Sequence, residues 1–116
     1  MTAEPSPGVR FRRALKTGDP LLILVSYDEL PTPQLADKLG VTLALRRDPR
    51  YDRAVVGFLI AYLDKHRDTD LHRLATMLDY FARFAAGNLD SARDLAALLE
   101  NTGDRECARI ATDVAA

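Results

Sequence analysis

The densest group of side chains able to hold a metal ion or move a proton is Asp64-Lys-His-Arg-Asp-Thr-Asp-Leu-His72. In it Asp64, His66, Asp68, Asp70 and His72 offer carboxylate oxygen and imidazole nitrogen. Ligands of these types make a site only at particular spacings. This segment has neither two histidines four apart on a helix nor a calcium loop with its central glycine and terminal glutamate. It reads better as a junction between helices, with Asp68 or Thr69 capping the second. His66 then sits at a helix C-terminus, where a cation is mildly favoured. No metal or other cofactor is expected.

Arginine supplies the next chemistry. Arg10, Arg12, Arg13 and Lys16 fall on one segment, and Arg46, Arg47, Arg50 and Arg53 gather around the start of a later helix. Guanidinium groups beside the free N–H groups of a helix N-terminus suit a phosphate or a nucleic-acid backbone. Asp48 and Asp52 lie among the second group and oppose its field, so the plainer expectation is a salt-bridged, solvated surface. Ala36, Gly40 and Val41-Thr42 match the opening of a helix-turn-helix reader. The anchors of its recognition helix would then fall on Arg46 and Pro49, placing a charge in the core and a helix breaker in the groove-reading element.

Catalytic signatures are absent from the sequence. It has no glycine-rich phosphate loop and no nucleophile elbow. The single Cys107 has no base near it and reads as a small apolar helix residue. Asp28 and Glu29 are neighbours, and adjacent helical residues point different ways. The chain is therefore expected not to be an enzyme.

The elements that position these groups follow from punctuation and periodicity. Proline, glycine and aspartate divide the chain into about six to seven helical segments. They run from about Val9 to Lys16, Leu21 to Leu30, Thr32-Pro33 to Arg46, Arg50 to His66, Asp70 to Ala86, Asp90 to before Gly103, and Asp104 onward. Asp19-Pro20, Thr32-Pro33 and Asp48-Pro49 each read as a cap followed by a first-turn proline. Tyr51, Val55, Phe58, Leu59, Tyr62 and Leu63 recur at steps of three and four and form one apolar stripe. Leu71, Leu74, Leu78, Phe81 and Ala85 form the next. Leu95, Leu98 and Leu99 follow, then Cys107, Ile110, Ala111 and Val114. No segment alternates with period two, so the fold class is all-α. Connections of a few residues make it a compact bundle or a short stack of antiparallel helical hairpins.

At 116 residues, 47% hydrophobic and 28% charged, the chain suits one globular domain. Residues 1–8 read as a flexible tail without the features of a secretory signal, and 9–116 as the helical domain. A net charge of -1 gives no global attraction to nucleic acid or an anionic membrane. The longest uncharged apolar run, Ala54 to Leu63, is half of the ~20 residues that a membrane span needs. One cysteine suits a reducing compartment, so a cytoplasmic setting is expected.

The run Phe11-Arg-Arg-Ala-Leu-Lys-Thr-Gly-Asp-Pro-Leu-Leu22, with Asp48-Pro-Arg-Tyr-Asp-Arg-Ala54, resembles a group of small actinobacterial all-helical proteins. The resemblance implies a helical fold and a bacterial cytosolic setting, and carries no activity. Leu95 to Ala108, with its Thr102-Gly103-Asp104 turn, is similar to one tetratricopeptide-type hairpin.

A widened apolar arc remains. Val56 and Ile60 on the fourth helix, and Met77, Tyr80 and Phe84 on the fifth, extend the main stripes to about half of each circumference. Either both helices are central, or these residues meet another chain, since aromatics and methionine mark interface cores. The function expected is a non-enzymatic helical protein–protein interaction module, self-associating through that face or binding a protein partner. The alternative is a nucleic-acid-associated protein using Arg46, Arg47, Arg50 and Arg53.

Overall fold

A computed structural model describes residues 5–116. Among them are seven α-helices and no strand. The helices are α1 (Pro7–Thr17), α2 (Pro20–Asp28), α3 (Leu35–Ala44), α4 (Tyr51–Lys65), α5 (Leu71–Ala85), α6 (Asp90–Asn101) and α7 (Arg105–Ala115). Residues 1–4 of the expected tail lie outside the described residues. Pro7 and Gly8, also assigned to that tail, are the first two residues of α1, because Ser6 accepts the Val9 N–H and caps it.

Local chemistry sets the helix ends. Asp19 caps α2 through the Leu21 N–H at 3.0 Å. The other two cap-and-proline steps work differently from expectation. Before α3 the cap moves to Gln34, because Asp37 accepts the Gln34 N–H at 2.9 Å and leaves Pro33 outside the helix. Asp48-Pro49 makes a turn: the Asp48 carboxylate accepts the Arg50 N–H and its carbonyl accepts that of Tyr51. Asp70 caps α5 through the Arg73 N–H at 2.7 Å. The Thr69 hydroxyl donates instead to the His66 carbonyl.

Gly87 and Gly103 have φ of 104° and 86°, a left-handed backbone that closes α5 and α6. At each, two N–H groups turn back onto the last carbonyls: Gly87 to Phe84 and Asn88 to Arg83, then Gly103 to Glu100 and Asp104 to Leu99. The second turn folds α7 back along α6, where Leu95, Leu99, Cys107, Ala108 and Ala111 are buried. Small residues on α7 let the two axes approach closely.

The helices form a stack of hairpins measuring 53 × 29 × 24 Å. α3 lies against both α4 and α7, α5 against α6, and the α1–α2 hairpin against α3 at one end. α4 and α5 meet through side chains: Phe58 and Phe81 pack edge to face at 5.7 Å, and the Tyr51 hydroxyl donates to the Phe81 carbonyl at 2.6 Å. The stripe read on α4 is the one that is buried, with Leu63 at its edge. On α5 the stripe is rotated. Phe81 of the expected stripe is buried and Leu74 half-buried against the core, but Leu71, Leu78 and Ala85 are exposed, the first by 83%, and Met77 and Phe84 turn inward in their place.

Candidate functional site

The acidic and histidine residues of 64–72 do not converge. Among the described residues no three of His, Cys, Asp and Glu approach closely enough to hold a metal ion. His66 instead reaches across to the start of α7, where its Nε2 lies 3.0 Å from Asp104 Oδ2. Its ring stacks on Tyr62 at 4.5 Å, and the Tyr62 hydroxyl donates to Thr102 Oγ1. Lys65 Nζ shares the same Asp104 oxygen at 3.1 Å. Burial disfavours the charged carboxyl, but hydrogen bonds from His66, the Cys107 thiol and Lys65 outweigh it and hold Asp104 below the usual carboxylate range. The carboxylate also caps α7 through the Cys107 N–H. Burial, and then the Asp104 charge, pushes the Cys107 thiol well above its ordinary value, which keeps it protonated and unreactive. The cluster ties α4 to the α6–α7 turn.

The second arginine group is divided among separate tasks. Arg50 holds Asp48 with a two-pronged fork at 2.8 and 2.7 Å, and this hydrogen bonding lowers the Asp48 pKa to about 2. Arg46 is half-buried with its guanidinium 4.9 Å from the centre of the Phe84 ring. Arg47 and Arg53 are exposed. These four do not form one anion cradle. Nor is there a helix-turn-helix reader here: α3 runs unbroken through Gly40, Val41 and Thr42 to Ala44, so no turn falls where that motif needs one.

The expected interface face is split as well. Val56 and Ile60 are exposed, by 54% and 64%. Met77 and Phe84 are buried, at 0% and 2%, and Tyr80 is half-buried against the core. Met77 and Phe84 therefore belong to the interior of this chain, because their helix turns that side toward α4 and α6. Around Ile60 the surface is a shallow depression ringed by Lys38, Asp64 and Arg67.

The most developed apolar concavity lies elsewhere, where α1, α3 and α7 meet. It is a groove of about 780 Å³ with Leu15, Leu43, Ala44, Ile110 and Val114 along its walls and floor. Gly40 lets Leu15 of α1 lie close on α3 beside the groove: a Cβ there would stand 3.1 Å from Leu15 Cδ1 and 3.9 Å from Ile110 Cγ2. Arg12 and Lys16 on one lip and Arg109 on the other face a single acid, Asp113. At its far end the groove runs on past Gly18 and Val114 into a second hollow of about 490 Å³, bounded by Arg46, Arg47 and Leu89. Sequence periodicity places Ile110 and Val114 only in an α7 core stripe and gives no sign of the groove they line. The one sequence signal for it is the glycine inside α3, a position where helix propensity alone disfavours it. No protein-family model, no curated protein and no solved structure matches this chain.

Proposed function

We propose that this chain is a non-enzymatic protein–protein interaction module that seats an apolar helical segment of its partner between α1, α3 and α7. The observation that carries this reading is the groove itself. Three helices leave Leu15, Ile110 and Val114 only partly covered around a concavity wide enough for several side chains. Apolar side chains at helical spacing that fill such a concavity are removed from water at roughly 25 cal/mol per Å². A cytoplasmic setting, with Cys107 a reduced, buried thiol, belongs to the same reading.

Amide chemical-shift mapping tests it with amphipathic helical peptides whose flanks are acidic, neutral or basic. Saturable shifts should centre on Leu15, Gly40 and Ile110 for at least one peptide. Shifts confined to other faces, or none up to millimolar peptide, would reject the groove as the docking site.

A further inference from the structure

One segment of this chain has the chemistry the groove asks for. α2 leaves Leu21, Leu22 and Val25 exposed, by 69%, 45% and 51%, and Leu22, Val25 and Glu29 border a hollow of about 250 Å³ shared with Arg10 and Arg13 of α1. Val25 lies four residues after Leu21 and three after Leu22, so they form one stripe. The same stripe continues onto Asp28 and Glu29, both exposed, at the end of the helix. The nine residues of α2 span about 14 Å, with the negative end of the helix dipole beside the two acids. The groove has an apolar floor, and its lips carry three cations, Arg12, Lys16 and Arg109, against one acid, Asp113.

Resting on the docking function just proposed, we infer that the groove's occupant is α2 of a second copy of this chain. Leu21, Leu22 and Val25 sit on the apolar floor, and Asp28 and Glu29 lie against the lip cations. Glu29 already meets Arg10 of its own chain at 3.0 Å, with both side chains still more than two-fifths exposed, so it has free acceptor capacity. The contact joins unlike surfaces: each copy offers one helix and one groove. Association therefore weakens with added salt, because its charge pairs lie at the rim.

Two surface variants separate this arrangement from general stickiness. Leu21→Ser with Val25→Glu removes the offered helix and leaves the groove intact. Lys16→Glu with Arg109→Glu reverses the lips and leaves α2 intact. All four positions are exposed, and circular dichroism checks that both variants fold. In sedimentation velocity the parent should associate with rising concentration, and each variant alone should be monomeric. Mixing the α2 variant with unaltered parent should cap the growing assemblies, because the variant's groove accepts one helix and offers none. The inference fails if the parent is monomeric throughout, if the lip variant still associates like the parent, or if the α2 variant leaves parent assemblies unchanged. A monomeric parent that still binds peptides at Leu15 and Ile110 would sink only the choice of partner. Absence of peptide binding there as well would sink the docking function too.

Discussion

Replacing Asp104 should damage this fold more than any other single charged residue, and the size of the effect can be worked out from its neighbours. The carboxylate is buried, caps α7 through the Cys107 N–H, and receives both His66 and Lys65. Loss of an aspartate cap costs about 1 kcal/mol. The bond from His66 is shielded, with only 15% of that side chain exposed, and is worth about 1.5 kcal/mol as a hydrogen bond to a charged group. Lys65 is more than half exposed, so its pair adds about 0.5 kcal/mol. Asp104→Ala should therefore cost about 3 kcal/mol, which for a chain of this size lowers the melting temperature by roughly 12 °C. Asp104→Asn keeps an oxygen for the Cys107 N–H and should cost about 2 kcal/mol, the share of His66 and Lys65. The pH dependence has a definite sign. The folded carboxyl titrates below its unfolded value, so its contribution is complete above about pH 4 and disappears as the pH falls through the lower, folded value. Urea unfolding followed by circular dichroism, repeated from neutral to acid pH, measures all three quantities. A loss under about 1 kcal/mol for alanine, or a gap between parent and asparagine that persists undiminished at the acid end, would refute this account of the clasp.

Other positions give independent checks. Gly57 lies exposed in the middle of α4, and a methyl group added there would meet nothing within 4 Å. Gly57→Ala should therefore stabilise the chain by about 1 kcal/mol through the backbone alone. Thermal unfolding reads this directly, and a destabilised variant would contradict it. Tyr51→Phe removes the 2.6 Å bond to the Phe81 carbonyl, the one hydrogen bond joining α4 to α5 among the described residues, and should cost about 1 kcal/mol in urea unfolding. Leu99→Ala, at a fully buried position between α6 and its neighbours, should cost about 2–5 kcal/mol by the same measurement. Cys107 should resist thiol reagents in the folded protein at mildly alkaline pH and react fully in denaturant. Rapid stoichiometric labelling without denaturant would show that its thiol is reachable.

Residues 5–116 carry much of their architecture in local chemistry. The α2 and α7 starts follow from Asp19 and Asp104, and the ends of α5 and α6 from Gly87 and Gly103, because each relies on hydrogen bonds within a few residues. The α4 stripe is legible because all three aromatics, Tyr51, Phe58 and Tyr62, lie on one side with Val55 and Leu59, and outweigh Val56 and Ile60, which stay exposed. α5 offers two sides. Leu71, Leu78 and Ala85 on one side of Phe81 compete with Met77 and Phe84 on the other, and only the aromatic contacts with α4 and the approach of α6 choose the second set.

The candidate site shows the same division more sharply. Arginines close in sequence end up on different duties, Arg50 on Asp48 and Arg46 on Phe84, because helix rotation and a turn separate them. His66 and Asp104 meet across 38 residues, a pairing that no local spacing announces. The groove joins Leu15, Gly40 and Ile110 from three helices, with Leu15 seated over the missing side chain of Gly40. Helical periodicity and capping act over single turns, so the amino-acid order alone settled which segments coil and where they stop. Which flank each coil hides, and which hollow stays open, depends on mutual packing of distant segments, and only the tertiary structure decided it.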